Sequence, residues 1–132
     1  MLSNKTILII SPESWGDIKL SKHHYSIELS KKDNNVYFLD PPKHNISRKI
    51  IIKEIMNNLR VLNYNQTRGI NRLPKYIREY FYKNIAKRIC KSIKSSIDIV
   101  WTFEPFRFQN PGVFDPNLII YHPTDIHKTK LE

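Results

Sequence analysis

Glycine is scarce in this sequence. Only three occur in 132 residues, at positions 16, 69 and 112. A G-x-G-x-x-G fingerprint or a Walker A loop needs clustered glycines so that backbone can approach phosphate, so a standard dinucleotide domain and a P-loop NTPase are excluded. There is one cysteine, Cys90. It excludes an intrachain disulfide and a multi-cysteine zinc site, and it fits a reducing compartment. Apolar runs reach only about five residues, far short of a membrane-spanning helix. The chain runs straight into a strand-like segment without a signal peptide, so a cytoplasmic protein is expected. Acidic residues are also few, 12 Asp+Glu against 22 Lys+Arg, for a net charge of +10. No run of acids suggests a metal site, and His23-His24 are adjacent rather than four apart on one helix face. Neither a metal nor a cofactor is therefore expected.

What is present fits one folded domain. Apolar residues make up 40% of the chain and aromatics 11%, enough for a hydrophobic core at this length. The charge is concentrated. Residues 1–42 carry five basic and five acidic side chains, residues 43–94 carry fourteen and two, and residues 95–132 carry three and five. This is the pattern of a near-neutral scaffold bearing one basic surface.

Residues 6–11 (TILIIS) form an apolar, β-branched run that ends at Pro12, the pattern of a strand buried on both faces in a parallel sheet. Residues 21–33 read as a helix with Ser21 as N-cap and Tyr25, Ile27 and Leu29 on its apolar side. Residues 36–40 (VYFLD) form a second buried strand, which completes a βαβ unit with a right-handed crossover. Residues 49–55 and 59–63 flank Asn57-Asn58 as a possible extra β-hairpin. After a loop over 66–73, Pro74 suits the first turn of a helix reaching about Ser95. Ile77, Phe81, Ile85, Ile89 and Ile93 give that helix an apolar stripe. Residues 97–103 and 118–122 are two more buried strands. The expected fold class is α/β, a Rossmann-like three-layer α/β/α domain over residues 1–132 with a mainly parallel sheet.

Proline follows the end of each core strand, at Pro12, Pro41-Pro42, Pro105 and Pro123. In a parallel sheet those ends share the carboxyl edge, where open α/β folds bind ligands. The loops there hold Glu13, Trp15, Gly16, Asp17, His23, His24, His44, Glu104, Arg107, His122, Asp125 and His127. Ser21-Lys22-His23-His24 opens a helix whose free N–H groups can bind an anion, although an ordinary capped helix has the same pattern. In His122-Pro123-Thr124-Asp125 the histidine can hydrogen-bond a sugar hydroxyl or phosphate and Asp125 can orient it; a loop-stabilising pair is the plainer alternative. Trp101 and Phe103 point the same way and read as core, whereas Glu104 and Arg107 are expected to face the cleft. Cys90, beside the apolar stripe, reads as structural.

Three stretches together resemble one family. They are ILIISPESWGDIKLSKHHYSIELSKKDNNVYFLDPPK, the NRLP-led basic helix, and DIVWTFEPFRFQNPGVFDPNLIIYHPTDIHKTKLE. They resemble the N-terminal half of bacterial GT-B glycosyltransferases, nearest to the cell-surface polysaccharide and teichuronic-acid-type enzymes. The resemblance implies two Rossmann-like domains facing across a cleft, with the N-terminal one binding the acceptor. It implies that Trp15, Gly16, His23, His24, His122 and Asp125 line this cleft; with Glu104 and Arg107 from the strand-end reading they make up the expected substrate site. It implies a nucleotide-sugar donor held mostly by a C-terminal domain, and a glycan or lipid-linked acceptor. This chain ends at Glu132, before any such domain, so it is expected not to turn over alone. Glycosyl transfer needs the leaving diphosphate stabilised and the acceptor hydroxyl positioned. In GT-B folds basic side chains and helix N-termini can stabilise the diphosphate without a metal.

The basic block suggests a membrane- or anion-binding surface formed by Arg78, Lys83, Lys87, Arg88, Lys91 and Lys94, which would place the protein at the inner face of the plasma membrane. The plainer reading is a solvated face that keeps the domain soluble. The competing class is a non-enzymatic module that binds nucleic acid or another polyanion, with Tyr76, Tyr80 and Tyr82 interleaved among the cations. No helix-turn-helix, zinc-finger or RNA-recognition signature supports it, so no nucleic-acid partner is expected. A receiver-type domain lacks its clustered acids.

Overall fold

A computed structural model of the chain describes residues 4–15, 21–43, 50–66, 69, 72–104, 107–108 and 110–121, with residues 21–23 described by their backbone. Six strands and two helices follow in the order β1 (Thr6–Ile10), α1 (Ser21–Lys31), β2 (Asn35–Leu39), β3 (Ile51–Met56), β4 (Leu59–Asn63), α2 (Lys75–Ile93), β5 (Ile99–Thr102) and β6 (Leu118–Tyr121), with a short 3-10 turn at Pro111–Phe114 before β6. They form one sheet in the order β3-β4-β2-β1-β5-β6. All neighbours are parallel except β3, which runs antiparallel to β4.

The expected hairpin is present, with Asn58 in the left-handed region at φ +66°, a conformation Asn tolerates better than most residues. It is no appendage. Its second strand, β4, pairs in parallel with β2 through Val36↔Leu59 to Leu39↔Leu62 and is the third parallel strand of the sheet. Only β3 is extra, and as the outer strand it is largely exposed. Lys53, Glu54 and a register irregularity between Glu54 and Met56 break up its free edge.

The run of apolar residues in β1 follows from its central place, with all five residues buried. Strand alternation sorts the core onto two faces. Leu8, Ile10, Tyr37, Leu39, Leu62 and Val100 pack with Ile85, Ile89 and Ile93 of α2. Ile7, Ile9, Val36, Phe38, Val61 and Ile99 form the other cluster, against which Ile27 and Leu29 of α1 pack.

Both helices bury faces that match those expected only in part. In α1 the buried side chains are Ser26 and Ser30, while Tyr25 is 39% exposed. Residues two apart lie about 200° apart on a helix, so 25, 27 and 29 share no face, whereas 26 and 30 do. In α2 the buried set is Tyr82, Ile85, Ala86, Ile89 and Ile93, and Phe81 is 38% exposed. A four-residue spacing advances about 40° per step, so a stripe begun at Ile93 has rotated off the core by Phe81 and Ile77. Pro74 stands at the N-cap, one residue before α2, and Lys94 ends the helix at φ +62° with its N–H on the Cys90 carbonyl. Cys90 is half-buried, and burial pushes its thiol pKa up.

The amino edge of the sheet is tied by two side chains. Asn34 accepts from the Lys5 N–H at 3.1 Å and donates to the Leu29 carbonyl at 2.9 Å, joining the end of α1 to β1. Asp98 accepts from the Thr6 N–H at 2.8 Å, and its carbonyl takes the N–H groups of Asn117 and Leu118, both at 3.0 Å.

Candidate functional site

The five parallel strands run β4-β2-β1-β5-β6. From β1 the chain crosses first to one side, through β2 and β4, and later to the other, through β5 and β6. The strand order therefore reverses between β1 and β5, and the crevice above their carboxyl ends is where an open α/β sheet takes a ligand.

On the β1 side, Ser11 is fully buried. Its hydroxyl donates to the Glu13 carbonyl at 2.7 Å and accepts from the Glu13 N–H at 3.0 Å, which folds the loop tightly after the strand. The Trp15 N–H then donates to Asp40 Oδ1 at 2.9 Å. Asp40 lies just past β2 and is 6% exposed, so a nearly buried carboxylate anchors the first loop to the neighbouring strand. The Trp15 ring sits edge-on to Phe38, with centroids 5.0 Å apart.

On the β5 side, Glu104 and Arg107 form an ion pair at 2.6 Å, with side chains 2% and 18% exposed. Glu104 Oε2 also accepts from the Arg107 N–H at 3.4 Å. Arg107 Nη2 reaches across to the Ser11 carbonyl at 3.4 Å, joining the ends of β5 and β1 over the point of reversal. Beneath the pair lies Tyr64, 1% exposed. Burial pushes its hydroxyl far above the usual tyrosine range, and the nearby Arg107 guanidinium opposes the shift only in part. Tyr82, whose hydroxyl lies 3.4 Å from Gln66 Nε2, is also shifted upward by burial.

Of the residues expected from sequence, Trp15, Glu104 and Arg107 gather at this crevice. The expectation that Glu104 and Arg107 both face the cleft meets a different geometry: the carboxylate is turned inward onto the guanidinium. A buried carboxylate at a strand end is stable only with such a partner. His24 is exposed in the first turn of α1. His23 is helical in its backbone. Gly16, Asp17, His44, His122, Asp125 and His127 lie outside the described residues. Trp101 and Phe103 do pack together, with rings stacked 5.6 Å apart and Tyr25 stacked 5.2 Å from Trp101.

The α2 cations are spread along the helix. Lys83, Lys87, Lys91 and Lys94 are exposed, while Arg78 and Arg88 are half-buried. The first turns of the same helix expose Tyr76 at 74% and Tyr80 at 63%. Among the described residues, no helix is long and apolar enough to cross a membrane, and no three His, Cys, Asp or Glu side chains converge as metal ligands.

Sequence reading missed Ser11, Asp40 and Tyr64 as parts of the site. Asp40 carried a faint signal, as an acid between a buried strand and Pro41-Pro42. Tyr64 carried none, because its position depends on β4 being an inner strand.

No family model matches the chain, and no curated protein matches it in sequence. Solved structures do match in shape. A trehalose 6-phosphate synthase from Burkholderia multivorans superposes with a TM-score of 0.53 at 10% identity, over 92% of this chain and 33% of that one. The E. coli trehalose-6-phosphate structure bound with UDP-2-fluoro glucose superposes with a TM-score of 0.49 at 8% identity, over 74% of this chain and 27% of that one. The chain thus spans about a third or less of the length of these structures, and what it shares with the Burkholderia enzyme is a Rossmann-like α/β fold.

Proposed function

We infer that the chain is the acceptor-side domain, three-layered α/β/α, of a glycosyltransferase that moves a sugar from a nucleotide-sugar donor to a surface-polysaccharide or lipid-linked acceptor. The observation that carries this reading is the crevice between β1 and β5, bridged by Arg107 on the Ser11 carbonyl, in a fold shared over 92% of the chain with part of a glycosyltransferase. Trp15, Gly16, His23, His24, His122 and Asp125 line the acceptor side of the cleft. Arg107 presents its outer edge to the substrate, and Glu104 holds it in place from behind. The donor is held mainly by a second domain, and this domain alone does not turn over.

The outer face of α2 docks the protein on an anionic membrane, at the cytoplasmic side. Support comes from the arrangement along the helix: exposed tyrosines lie in its first turns, nearest the carboxyl edge, and lysines follow. Aromatic rings suit the headgroup boundary and lysines suit anionic lipid.

The test is transfer of labelled sugar from a panel of nucleotide sugars to a bacterial lipid extract by the complete gene product. Labelled lipid or glycan is expected, with a loss in H24A and H122A. Absence of transfer, together with a salt-sensitive gel shift that K87Q/K91Q abolishes, would favour the polyanion-binding class instead.

A further inference from the structure

A second concavity lies outside the crevice, between the first half of α2 and the segment that follows β5. Its volume is about 360 Å³, and its walls include Arg78, Lys83, Glu79, Tyr80, Tyr82 and Asn110. Phe108 and Val113 also line it. The size suits a small ligand, near the lower end of the usual range for such sites.

The back of the cavity is rigid. Tyr82 is only 6% exposed, its ring meets Phe108 edge-on at 5.0 Å, and its hydroxyl lies 3.4 Å from Gln66 Nε2. Phe108 is itself 2% exposed and is clamped between Phe114 at 5.2 Å and Tyr64 at 5.9 Å. These rings are held by the core and present a preformed aromatic wall. The rim is polar and carries two cations against one carboxylate. Asn110 commits its Oδ1 to the Gly112 N–H at 3.2 Å, so its amide nitrogen remains as a donor.

We propose that this cavity binds an organic phosphate ester, with the phosphate on Arg78 and Lys83 and the organic body against Tyr80, Tyr82 and Phe108. A phosphate monoester offers three oxygens and close to two negative charges. It can take the planar fork of Arg78, the ammonium of Lys83 and the Asn110 amide together, and the second charge outweighs repulsion from Glu79. The apolar wall then distinguishes an ester from free phosphate. Binding here requires no glycosyl transfer at the crevice. The same chemistry is found in a soluble metabolite and in a lipid headgroup.

The experiment is titration of the 132-residue chain with phenyl phosphate and with inorganic phosphate, followed by calorimetry and by amide NMR shifts. Phenyl phosphate is expected to bind at least about tenfold more tightly than inorganic phosphate, with shifts centred on residues 78–83 and 108–113. R78Q and K83Q should each weaken it about tenfold, since each removes a charge-assisted contact. Y80A should abolish the preference for the ester and keep phosphate binding. K53Q, on the outer strand β3 and outside the cavity, should leave affinity within twofold. Unchanged affinity in R78Q and K83Q, or an equal loss in K53Q, would overturn the proposal, as would no binding at millimolar ligand by a chain whose circular dichroism shows it folded. Vesicles containing phosphatidic acid separate the two sources. If they compete with phenyl phosphate the natural ligand is a headgroup, and if they do not it is a soluble ester; both results require the pocket to be real.

Discussion

Charge is handled in opposite ways at the carboxyl edge of the sheet and on the outer face of α2. Among the described residues of the edge, three ionised groups are turned on one another or on backbone: Glu104 pairs with Arg107, Arg107 reaches the Ser11 carbonyl, and Asp40 takes the Trp15 N–H. On α2 the lysines are many and point to water. A buried charge without a partner costs several kcal/mol, whereas an exposed lysine costs almost nothing. Charge at the edge therefore builds structure, and charge on the helix is left for partners. The two regions should respond differently to mutation.

The largest difference is expected in R107M. Removing the guanidinium takes its cationic partner from the buried Glu104 carboxylate, at a cost of about 3–5 kcal/mol. Urea denaturation checks it. If R107M unfolds at the same urea concentration as the parent chain, the pair is no brace. D40A comes next, with a loss of about 2 kcal/mol because the Trp15 N–H loses a charged acceptor. A red shift of tryptophan fluorescence should accompany it as the first loop comes away from Phe38.

Tyr64 gives a smaller effect with a pH signature. Burial raises its pKa in the folded chain above the ordinary tyrosine value of about 10. Above pH about 10 the unfolded chain releases this proton while the folded chain keeps it, so stability is intact below that pH and falls as pH rises past it. Y64F should cost about 1 kcal/mol at neutral pH and should remove about 1.4 kcal/mol per pH unit from the alkaline slope. An alkaline limb as steep in Y64F as in the parent would place the titration elsewhere. The smallest stability change belongs to α2. K87Q/K91Q should lie within about 0.5 kcal/mol of the parent, while sedimentation with anionic vesicles at low salt should fall severalfold. Equal sedimentation with neutral and anionic vesicles in the parent chain would remove the membrane from the comparison.

Much of the fold was legible because buried parallel strands write themselves as short apolar runs: 6–11, 36–40 and 97–103 each contain a strand of the observed sheet. Strand-end prolines likewise marked the edge where Trp15, Glu104 and Arg107 gather. The helix faces were less legible. Of the apolar residues at 25, 27 and 29, Ile27 and Leu29 pack against the core while Tyr25 is left partly exposed, and the stripe at every fourth position from 77 reaches the core only at Ile85, Ile89 and Ile93. Serines 26 and 30, polar in sequence, turned out to be the surface that lets α1 approach the sheet.

By itself the sequence determined that this is an α/β chain, that its excess charge lies within residues 43–94, and that glycine-cradled phosphate chemistry is absent, because composition and short-range periodicity carry that information. The tertiary structure decided what depends on contacts distant in sequence. It made β4 an inner strand, set the reversal between β1 and β5, and turned Glu104 inward onto Arg107. It also closed Phe108 and Val113 over α2 to form a cavity, although nothing in residues 75–93 or 108–113 alone indicates that the two segments meet. The physical reason is that pairing order and burial are collective: each strand's place is set by what its neighbours leave exposed.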